Sequence, residues 1–403
     1  MRGDQVRFLL GDAAVMRDPY PAYRELRKDH PIVRGGPGQW VIARHADVSV
    51  LLKDRTLSRD FPPAYQAFSI GEGSGSDFLR RIIIDRDPPD HSRVRRLLTQ
   101  AMSPRFVRQL DGLVRALADR SLAAARERGS FDAVQDLAVP VPMMMMSELF
   151  GIPDADREYI RLLSVDLSAT FAVFIPEEKK RRAHAAVDAL REYFSGLIIQ
   201  RRRQPGDDMI SRMVLASRDG SECLSDEEIV DNAIFVYYAG FETTTNLVAT
   251  GCAVLASQPE VQRQLRADQA LMPTAIEEFL RFDAPIHATT RMATQELEIH
   301  GQRIRPGRVL VLLLASANRD EQVFDEPDSV DLARHPNPHV SFGGGVHHCI
   351  GAALARVEGT AVFSRLLDTF AELTIADTTD WAGTEGGFRY PYYAWQSLPI
   401  TAS

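Results

Sequence analysis

Residues 341–354, "SFGGGVHHCIGAAL", place three consecutive glycines, two histidines and a cysteine directly before a helical pattern. Cys349 is therefore predicted to lie at a helix N-terminus, where the dipole and the free N–H groups stabilise an anion and lower the pKa of a thiol. The glycines let the backbone turn sharply and approach a flat ligand closely. Because an inert buried thiol requires none of this, the stretch indicates a functional cysteine.

The residues themselves leave three interpretations of Cys349 open: an inert thiol, a nucleophile activated by His347 or His348, and a metal ligand. A zinc site needs three or four Cys or His ligands, and no second cysteine is near in the sequence. A cysteine hydrolase needs an orienting carboxylate or amide, which the sequence does not place.

The composition is that of a soluble globular protein: 403 residues, 45% hydrophobic and 25% charged. No linker divides the chain, so we expect one domain over residues 1–403. The net charge of −8 argues against a nucleic-acid binder. No secretory signal and no run of about 18 apolar residues is present, which predicts a cytoplasmic protein without a membrane anchor. The three scattered cysteines make a disulfide framework unexpected.

Helical periodicity dominates the chain and predicts a mainly α protein with small β-sheets, an α+β class. The strand signals are "ATQELEIHGQRI", "GRVLVLLLASAN" and "YYAWQSLPI". The longest helix candidate runs from Leu224 to about Ser257 and starts with a capping box formed by Ser225 and Glu228.

The middle of that helix contains "AGFETTTN", where Gly240 and three threonines are poor helix formers. A Thr243 hydroxyl bonded to the Ala239 carbonyl would open the helix. The alternatives are a tolerated kink and a groove that carries an acid and an alcohol, Glu242 and Thr243.

Four motifs resemble those of the cytochrome P-450 monooxygenases and follow one another along the chain in the order typical of that family. Phe342, Gly345, Cys349 and Gly351 match the haem-binding loop F-x-x-G-x-x-x-C-x-G. The other matches are "DPPDHSRVRRLL" at 87–98, "AGFETT" at 239–244 and the E-x-x-R pair in "EEFLR"; "SANRDEQVFDEPDSVDLAR" at 316–334 is similar to the segment before the cysteine loop. The resemblance covers essentially the whole chain.

The resemblance implies a single-domain cytochrome P-450 fold with haem b (iron protoporphyrin IX) between the long central helix and the cysteine-loop helix. Cys349 is then the metal ligand, Thr243 and Glu242 are the catalytic pair, and Glu278 and Arg281 join Arg334 in holding the cysteine loop. The expected haem and O2 contacts are His91, Arg95, Ala239, Gly240, Arg291, His339, Phe342, Gly343, His347, Cys349 and Gly351.

The family also implies an enzyme that takes electrons from a ferredoxin and a ferredoxin reductase. We expect a small, largely apolar or aromatic substrate from specialised natural-product metabolism, free or held on a carrier protein. Expected substrate contacts are the loop 62–76, residues 171–174, Phe241, residues 286–290 and residues 392–393. Expected ferredoxin contacts are Arg93, Arg96, Arg105 and Arg108.

Two alternatives stay open at this point: oxidative coupling or other atypical chemistry of the family, and a thiolate-haem binding or sensing protein without turnover. The Glu242–Thr243 pair favours an enzyme, because a sensor has no use for a proton relay. Three positions depart from the family pattern: Gly344 replaces a common histidine, His348 stands where an apolar or aromatic residue is frequent, and Glu321 replaces a common proline.

Overall fold

The computed structural model describes residue 15 and residues 18–36, 38–172, 175–217, 224–376, 388–389, 392–393 and 395–403. Of the predicted substrate contacts, residues 173–174 lie outside this part, and only the backbone is described at 392–393. Of the three cysteines, Cys252 and Cys349 form no disulfide, and Cys223 lies outside the described residues.

Helices dominate, and short strands appear near both ends of the chain, as the sequence predicted. The described helices are α1 Tyr20–Asp29, α2 His45–Leu51, α3 Pro63–Ile70, α4 Ser74–Arg81, α5 Asp90–Ala101, α6 Pro104–Gln109, α7 Asp111–Arg128, α8 Pro140–Phe150, α9 Arg157–Leu167, α10 Glu177–Arg203, α11 Met209–Ala216, α12 Asp226–Ser257, α13 Pro259–Ala267, α14 Met272–Phe282, α15 Leu314–Ala317 and α16 Ala352–Thr369. None of them is long and apolar enough to span a membrane.

The described strands are β1 Ile32–Arg34, β2 Gln39–Ile42, β3 Leu57–Ser58, β4 Ser130–Asp132, β5 Ala288–Ala293, β6 Leu297–Ile299, β7 Gln302–Ile304, β8 Val309–Leu313, β9 Leu373–Ile375, β10 Phe388–Arg389, β11 Tyr392–Tyr393 and β12 Pro399–Ala402. The largest sheet has the order β1-β2-β8-β5-β3. Of "GRVLVLLLASAN", only Val309–Leu313 is a strand, and Leu314–Ala317 turns into a short helix.

The described chain divides into two compact units. The sheet unit comprises Met1–Ser58, Leu110–Val141 and Thr243–Ser403, and the helical unit comprises Arg59–Gln109 and Pro142–Glu242. In the sheet unit, strand β8 is buried throughout because both faces of the sheet are covered. Leu310 and Leu312 pack on one side and Val311 and Leu313 on the other, as the period of two in a strand requires.

The long helix α12 is continuous over 32 residues, from Asp226 to Ser257. The predicted capping box is confirmed: the Ser225 N–H donates to Glu228 Oε2 at 2.9 Å, and the Glu228 N–H donates to Ser225 Oγ at 3.2 Å. The opening predicted at Thr243 does not interrupt the helix, because the ends are fixed by the cap and by burial on both sides of the threonine run.

Candidate functional site

The backbone of the loop that carries Cys349 fixes the position of the thiol. The Cys349 N–H donates a hydrogen bond to the Phe342 carbonyl oxygen at 2.8 Å, and the His348 N–H donates to the Gly345 carbonyl oxygen at 3.2 Å. Helix α16 has Gly351 as its N-cap, so Cys349 precedes the cap by two residues. The thiol is exposed and forms no disulfide. It lies close to the positive end of the helix dipole, where a thiolate ligand would be stabilised.

Gly345 is the position in this loop where only glycine fits. Its φ is +65°, and a Cβ there would lie 2.7 Å from the Leu52 carbonyl oxygen and 3.0 Å from Lys53 Cα. Real Cβ atoms do not approach backbone so closely, so a side chain would push the loop away from the residues that follow α2. The glycine that the motif requires is thus explained by close packing and by a left-handed turn.

The predicted Glu278–Arg281 pair lies fully buried on α14, where its members form a bidentate ion pair. Arg281 Nε donates to Glu278 Oε2 and Arg281 Nη2 donates to Oε1, each at 2.7 Å. As predicted, Arg334 joins them, with Nε 3.1 Å from both Glu278 oxygens. The Asp331 N–H and the Asn337 Nδ2 also donate to Glu278, at 2.9 and 3.1 Å. One carboxylate therefore fixes the segment that leads into the cysteine loop.

The start of the cysteine loop is tied to the same helix by side chains that the sequence analysis did not single out. Asn318 Oδ1 accepts the Val340 N–H at 2.8 Å, and Asn318 Nδ2 donates to Ser341 Oγ at 2.7 Å. The Ser341 hydroxyl in turn donates to the Leu280 carbonyl oxygen at 2.7 Å. Because Asn318 precedes Val340 by 22 positions and Ser341 by 23, only the fold shows that these residues meet.

His339, a predicted haem contact, has both ring nitrogens in contact with protein groups. Its Nε2 lies 3.0 Å from Glu277 Oε2, and its Nδ1 accepts the Ser341 N–H at 3.3 Å. Arg356 donates to the same carboxylate from α16, at 2.6 and 2.8 Å. Burial would raise the pKa of Glu277, but the hydrogen bonds from Arg356 and His339 bring it down to about 2. The predicted propionate role of His339 therefore competes with its role in holding Glu277.

Arg291 and His347 are the other predicted haem contacts of the sheet unit. Arg291 is buried on β5, and its Nη1 donates to the Thr290 carbonyl oxygen at 2.8 Å. A guanidinium has five N–H donors, and a buried one needs acceptors or an anion. His347 ends the short 3₁₀ turn Gly345–His347 and is half-buried. Both side chains thus suit an anionic group on a bound ligand.

Two departures from the family pattern have local explanations. Gly344 is buried, and a Cβ there would lie 3.2 Å from Leu52 Cβ, so the histidine common at this position would not fit without a shift. Glu321 accepts a hydrogen bond from Arg27 Nε at 3.0 Å, so it balances a buried arginine. For His348, the ring centroid lies 6.2 Å from that of Phe342.

In the helical unit, the predicted contacts lie on two helices. His91 and Arg95 are four residues apart on α5, and hence on one face; His91 is buried and Arg95 half-buried. On α12, Ala239 and Gly240 are half-buried among neighbours that are fully buried. A Cβ on Gly240 would lie 2.5 Å from Met146 Cε. Gly240 thus packs closely against Met146, and a larger residue would require the flexible end of the Met146 side chain to move.

Glu242 and Thr243 follow directly on the same helix, and both are half-buried. Their side chains are therefore neither sealed in the core nor fully in solvent. This is the exposure that a proton relay requires, because one end must exchange protons with water.

The sequence analysis missed Glu358, which lies on α16 in the sheet unit and is 1% exposed. Burial raises the pKa of Glu358 well above its usual range, and the neighbouring Thr244 hydroxyl offsets this only in part. Burial therefore favours the neutral form of this carboxyl. The one available signal was a lone acid in the apolar helical pattern "ALARVEGTAVF".

The predicted substrate loop 62–76 is wrong in conformation: most of it forms α3 Pro63–Ile70 and the start of α4 Ser74–Arg81. Pro63 is the first residue of α3, a position that proline favours, and Gly73 is the N-cap of α4. The turn-forming residues of this stretch therefore lie at helix ends. The expected aromatic character is present nearby, since the Phe171 ring stacks on Tyr238 with centroids 5.3 Å apart.

Of the predicted ferredoxin contacts, Arg93 is not a free surface charge. It is half-buried, and its Nη1 donates to Glu228 Oε2 at 3.0 Å. Arg96, Arg105 and Arg108 are exposed.

The comparisons with known proteins agree with these motifs. The family model for cytochrome P450 matches residues 19–387. The chain is 35% identical over 370 residues to a putative cytochrome P450 YjiB of Bacillus subtilis, covering 90% of this chain and 89% of the relative. It is 35% identical to the nocardicin C N-oxygenase of Nocardia uniformis subsp. tsuyamanensis, covering 93% and 94%.

Solved structures show the same fold. CalO2 matches with a TM-score of 0.90 at 32% identity, covering 97% of this chain and 98% of that one. P450BioI, solved with an acyl carrier protein ligated to hexadec-9Z-enoic acid, matches with a TM-score of 0.89 at 29% identity, covering 97% and 100%.

The cofactor of this family is haem b, and the groups described above fit it. A haem needs an axial ligand and cations for its two propionates. Cys349 offers an exposed thiol beside a glycine turn, and Arg291 offers a buried guanidinium. The chain belongs to the cytochrome P450 family of haem-dependent monooxygenases.

Proposed function

We propose that this enzyme oxidises a small, largely apolar or aromatic organic molecule of specialised metabolism with electrons from a ferredoxin and a ferredoxin reductase. The observation that carries the proposal is the geometry of Cys349, an exposed thiol whose backbone is fixed to Phe342. We also propose that residues 1–403 form one cytochrome P450 domain, with the haem between α12 and the cysteine-loop helix α16. The family match over residues 19–387 supports this.

Cys349 would bind the haem iron, and Phe342, Gly343 and Gly351 would line the loop around it. His91, Arg95, Arg291 and His347 would neutralise the two propionates, and Ala239 and Gly240 would line the O2 site. When bound, thiolate-ligated haem supplies the activation of O2 that oxygenases of this type perform.

The roles of Glu242 and Thr243 follow from their exposure and chemistry. A half-buried carboxylate can take protons from solvent and pass them on, and the adjacent hydroxyl can hold a water molecule and donate to it. We propose that Glu242 moves protons inward and that Thr243 positions the final donor. This pair favours turnover over a sensing role for the protein.

The substrate class rests on named relatives and on the aromatic residues of the helical unit. Two relatives are a polyketide biosynthesis cytochrome P450 and a biotin biosynthesis cytochrome P450, both of Bacillus subtilis. In this chain, Phe171, Tyr238 and Phe241 form successive ring contacts, which suit an apolar substrate. The carrier complex of P450BioI makes a carrier-held substrate the second candidate.

The ligand assignment is tested by the spectrum of the reduced protein with carbon monoxide. The wild type is expected to show the red-shifted Soret band of a thiolate-ligated haem, and Cys349→Ser is expected to lose it. Retention of the band in Cys349→Ser would remove the proposal. A screen for compounds that shift the haem spectrum of the resting protein then identifies the substrate.

A further inference from the structure

An open hollow of about 740 Å³ lies in the sheet unit, and nothing in the proposed oxygenase chemistry uses it. Residues of the hairpins β1–β2 and β6–β7 line it, together with the turn that leads into β8. Its polar side chains are mostly donors: Arg34, Arg303, Arg305, Arg308, Gln39 and Gln302. Among the described residues that line it, Glu296 is the one carboxylate.

The positive charge of the hollow is only partly balanced within the described part of the chain. Arg303 Nη2 donates to Glu296 Oε1 at 2.6 Å. Among the described residues, no carboxylate forms an ion pair with Arg34, Arg305 or Arg308, and all three are exposed. Four arginines against one glutamate is unexpected in a chain of net charge −8. The hollow is therefore a local site of attraction for anions.

The geometry of the arginines favours a compact anion with many acceptor oxygens. Arg308 Nη1 lies directly over Gly38, only 3.0 Å from where a Cβ would be, so its guanidinium extends across the β1–β2 turn. Guanidinium groups bind phosphate and carboxylate through paired N–H donors. Several such forks around one hollow suit phosphate groups, because each phosphate offers three oxygens where a carboxylate offers two.

Two features separate the candidate sources of phosphate. Trp40 is 6% exposed, and the guanidinium carbon of Arg34 lies 5.2 Å from its ring centroid, so this ring has little free face on which a nucleobase could stack. The large exposed apolar side chains of the described residues include Val50 and Phe68, and none of them lines the hollow. A lipid headgroup could therefore make charge contacts in the hollow, but no large exposed apolar side chain in the described part of the chain lies beside them to insert into the membrane. This disfavours a lipid surface as the ligand.

We propose that this hollow binds a small, free, phosphorylated molecule, whose phosphate oxygens contact Arg34, Arg305 and Arg308. The register of the sheet relates this hollow to Arg291, the proposed propionate contact. Arg308 directly precedes β8, in which Leu310 is paired with Arg291, so Arg308 and that pair are about 7 Å apart along the strand.

The proposal is tested by calorimetric titration of the full-length haem-loaded protein with inorganic pyrophosphate at low salt. Binding is expected in the wild type at concentrations up to about 1 mM. The double variant Arg305→Gln/Arg308→Gln should bind at least about tenfold more weakly, because it loses two charge-assisted contacts. The matched control is Arg126→Gln, an exposed arginine on α7, which should not change binding. Glu296→Gln should bind more tightly, because it removes the one opposing charge.

Equal pyrophosphate affinity in the double variant and the wild type would overturn the proposal, and so would the absence of binding in the wild type. If the double variant loses its carbon monoxide band, and hence its intact haem site, the single variants Arg305→Gln and Glu296→Gln decide the question. Their pyrophosphate affinities are expected to change in opposite directions. Phosphatidylglycerol vesicles form the second arm. One result would assign the hollow to lipid headgroups and overturn the proposal of a free ligand. In that result the wild type binds vesicles but not pyrophosphate, and the double variant loses vesicle binding. Because no arm requires turnover, failure here is distinct from failure of the proposed oxygenase function.

Discussion

Arg334 Nε lies 3.1 Å from each carboxylate oxygen of Glu278, a residue 56 positions earlier in the chain. The same carboxylate forms an ion pair with Arg281 and accepts a hydrogen bond from the Asp331 N–H. A fully buried negative charge is thus shared by two guanidinium groups and the backbone. This arrangement links α14 to the segment before Cys349. The conformation of the cysteine loop therefore depends on a residue that never touches it.

Removal of Glu278 should destabilise the protein strongly. Breaking a buried ion pair from one side leaves an uncompensated charge and costs about 3–5 kcal/mol. We expect the free energy of unfolding of Glu278→Ala, measured by urea denaturation, to fall by that amount, with loss of haem. The control is Glu158→Ala, whose pair with Arg161 is exposed and is worth less than about 1 kcal/mol. Similar losses in the two variants would contradict the role of the buried network.

The stability contributed by Glu277 should depend on pH in the acid range. Hydrogen bonds from Arg356 and His339 lower the pKa of Glu277 to about 2 in the folded protein, whereas an unfolded glutamate titrates near about 4.3. The contribution is thus fully present above the unfolded pKa and is lost as the pH falls toward 2. Because the side chain is partly exposed, we expect only about 1 kcal/mol after solvent screening.

The measurement is urea unfolding of wild type and Glu277→Gln, monitored by tryptophan fluorescence, at about pH 6, about pH 4.5 and about pH 3. The difference between the two proteins should be largest at about pH 6 and should shrink toward about pH 3. Glu260→Gln, at an exposed position on α13, should show no such trend. A difference that stays constant with pH would rule out the titration of Glu277 as its source.

Arg291 should matter for haem retention. Its guanidinium is buried on β5, and a charge-assisted bond to a propionate contributes about 1.5–3 kcal/mol. Arg291→Ala should therefore transfer haem to apomyoglobin at least about tenfold faster than wild type. The control is Arg126→Ala, which removes an exposed arginine on α7. Equal transfer rates in the two alanine variants would count against propionate binding.

Ferredoxin-dependent reduction should depend on exposed arginines of the helical unit. Arg108 is exposed at the end of α6, whereas Arg93 is half-buried and paired with Glu228. Charge reversal in Arg108→Glu should slow reduction by an acidic ferredoxin most at low salt, because a rim charge acts on the association rate. Slowing that does not change with ionic strength would contradict docking at this surface.

Thr243 should control the fate of the electrons rather than binding. Thr243→Ala should still bind haem, carbon monoxide and substrate and still consume reducing equivalents. It should release hydrogen peroxide in place of product, because the hydroxyl that positions the proton donor is gone. Thr243→Ser keeps the hydroxyl and should keep the coupling, and Glu242→Gln should slow the whole cycle. Product and peroxide formed per reducing equivalent are the quantities to measure; wild-type coupling in Thr243→Ala would refute this role.

The sequence by itself determined the family and the extent of the long helix, and it predicted Cys349 as the haem ligand. These are local properties: the spacing of Phe342, Gly345 and Cys349 specifies one turn, and the capping box at Ser225 and Glu228 specifies where α12 starts. The role of Arg334 beside Glu278 also came from the motif, and the structure confirms the contact.

Only the tertiary structure decided which polar groups meet across long separations. Asn318 holds Ser341, Glu277 holds both His339 and Arg356, and Glu358 is sealed in the core. It also showed that Gly240 packs against Met146 and that residues 62–76 are largely helical. The reason is that helix and loop patterns depend on neighbours in the chain. Burial, ion pairing and pKa depend instead on neighbours in space, which cannot be read from the local sequence.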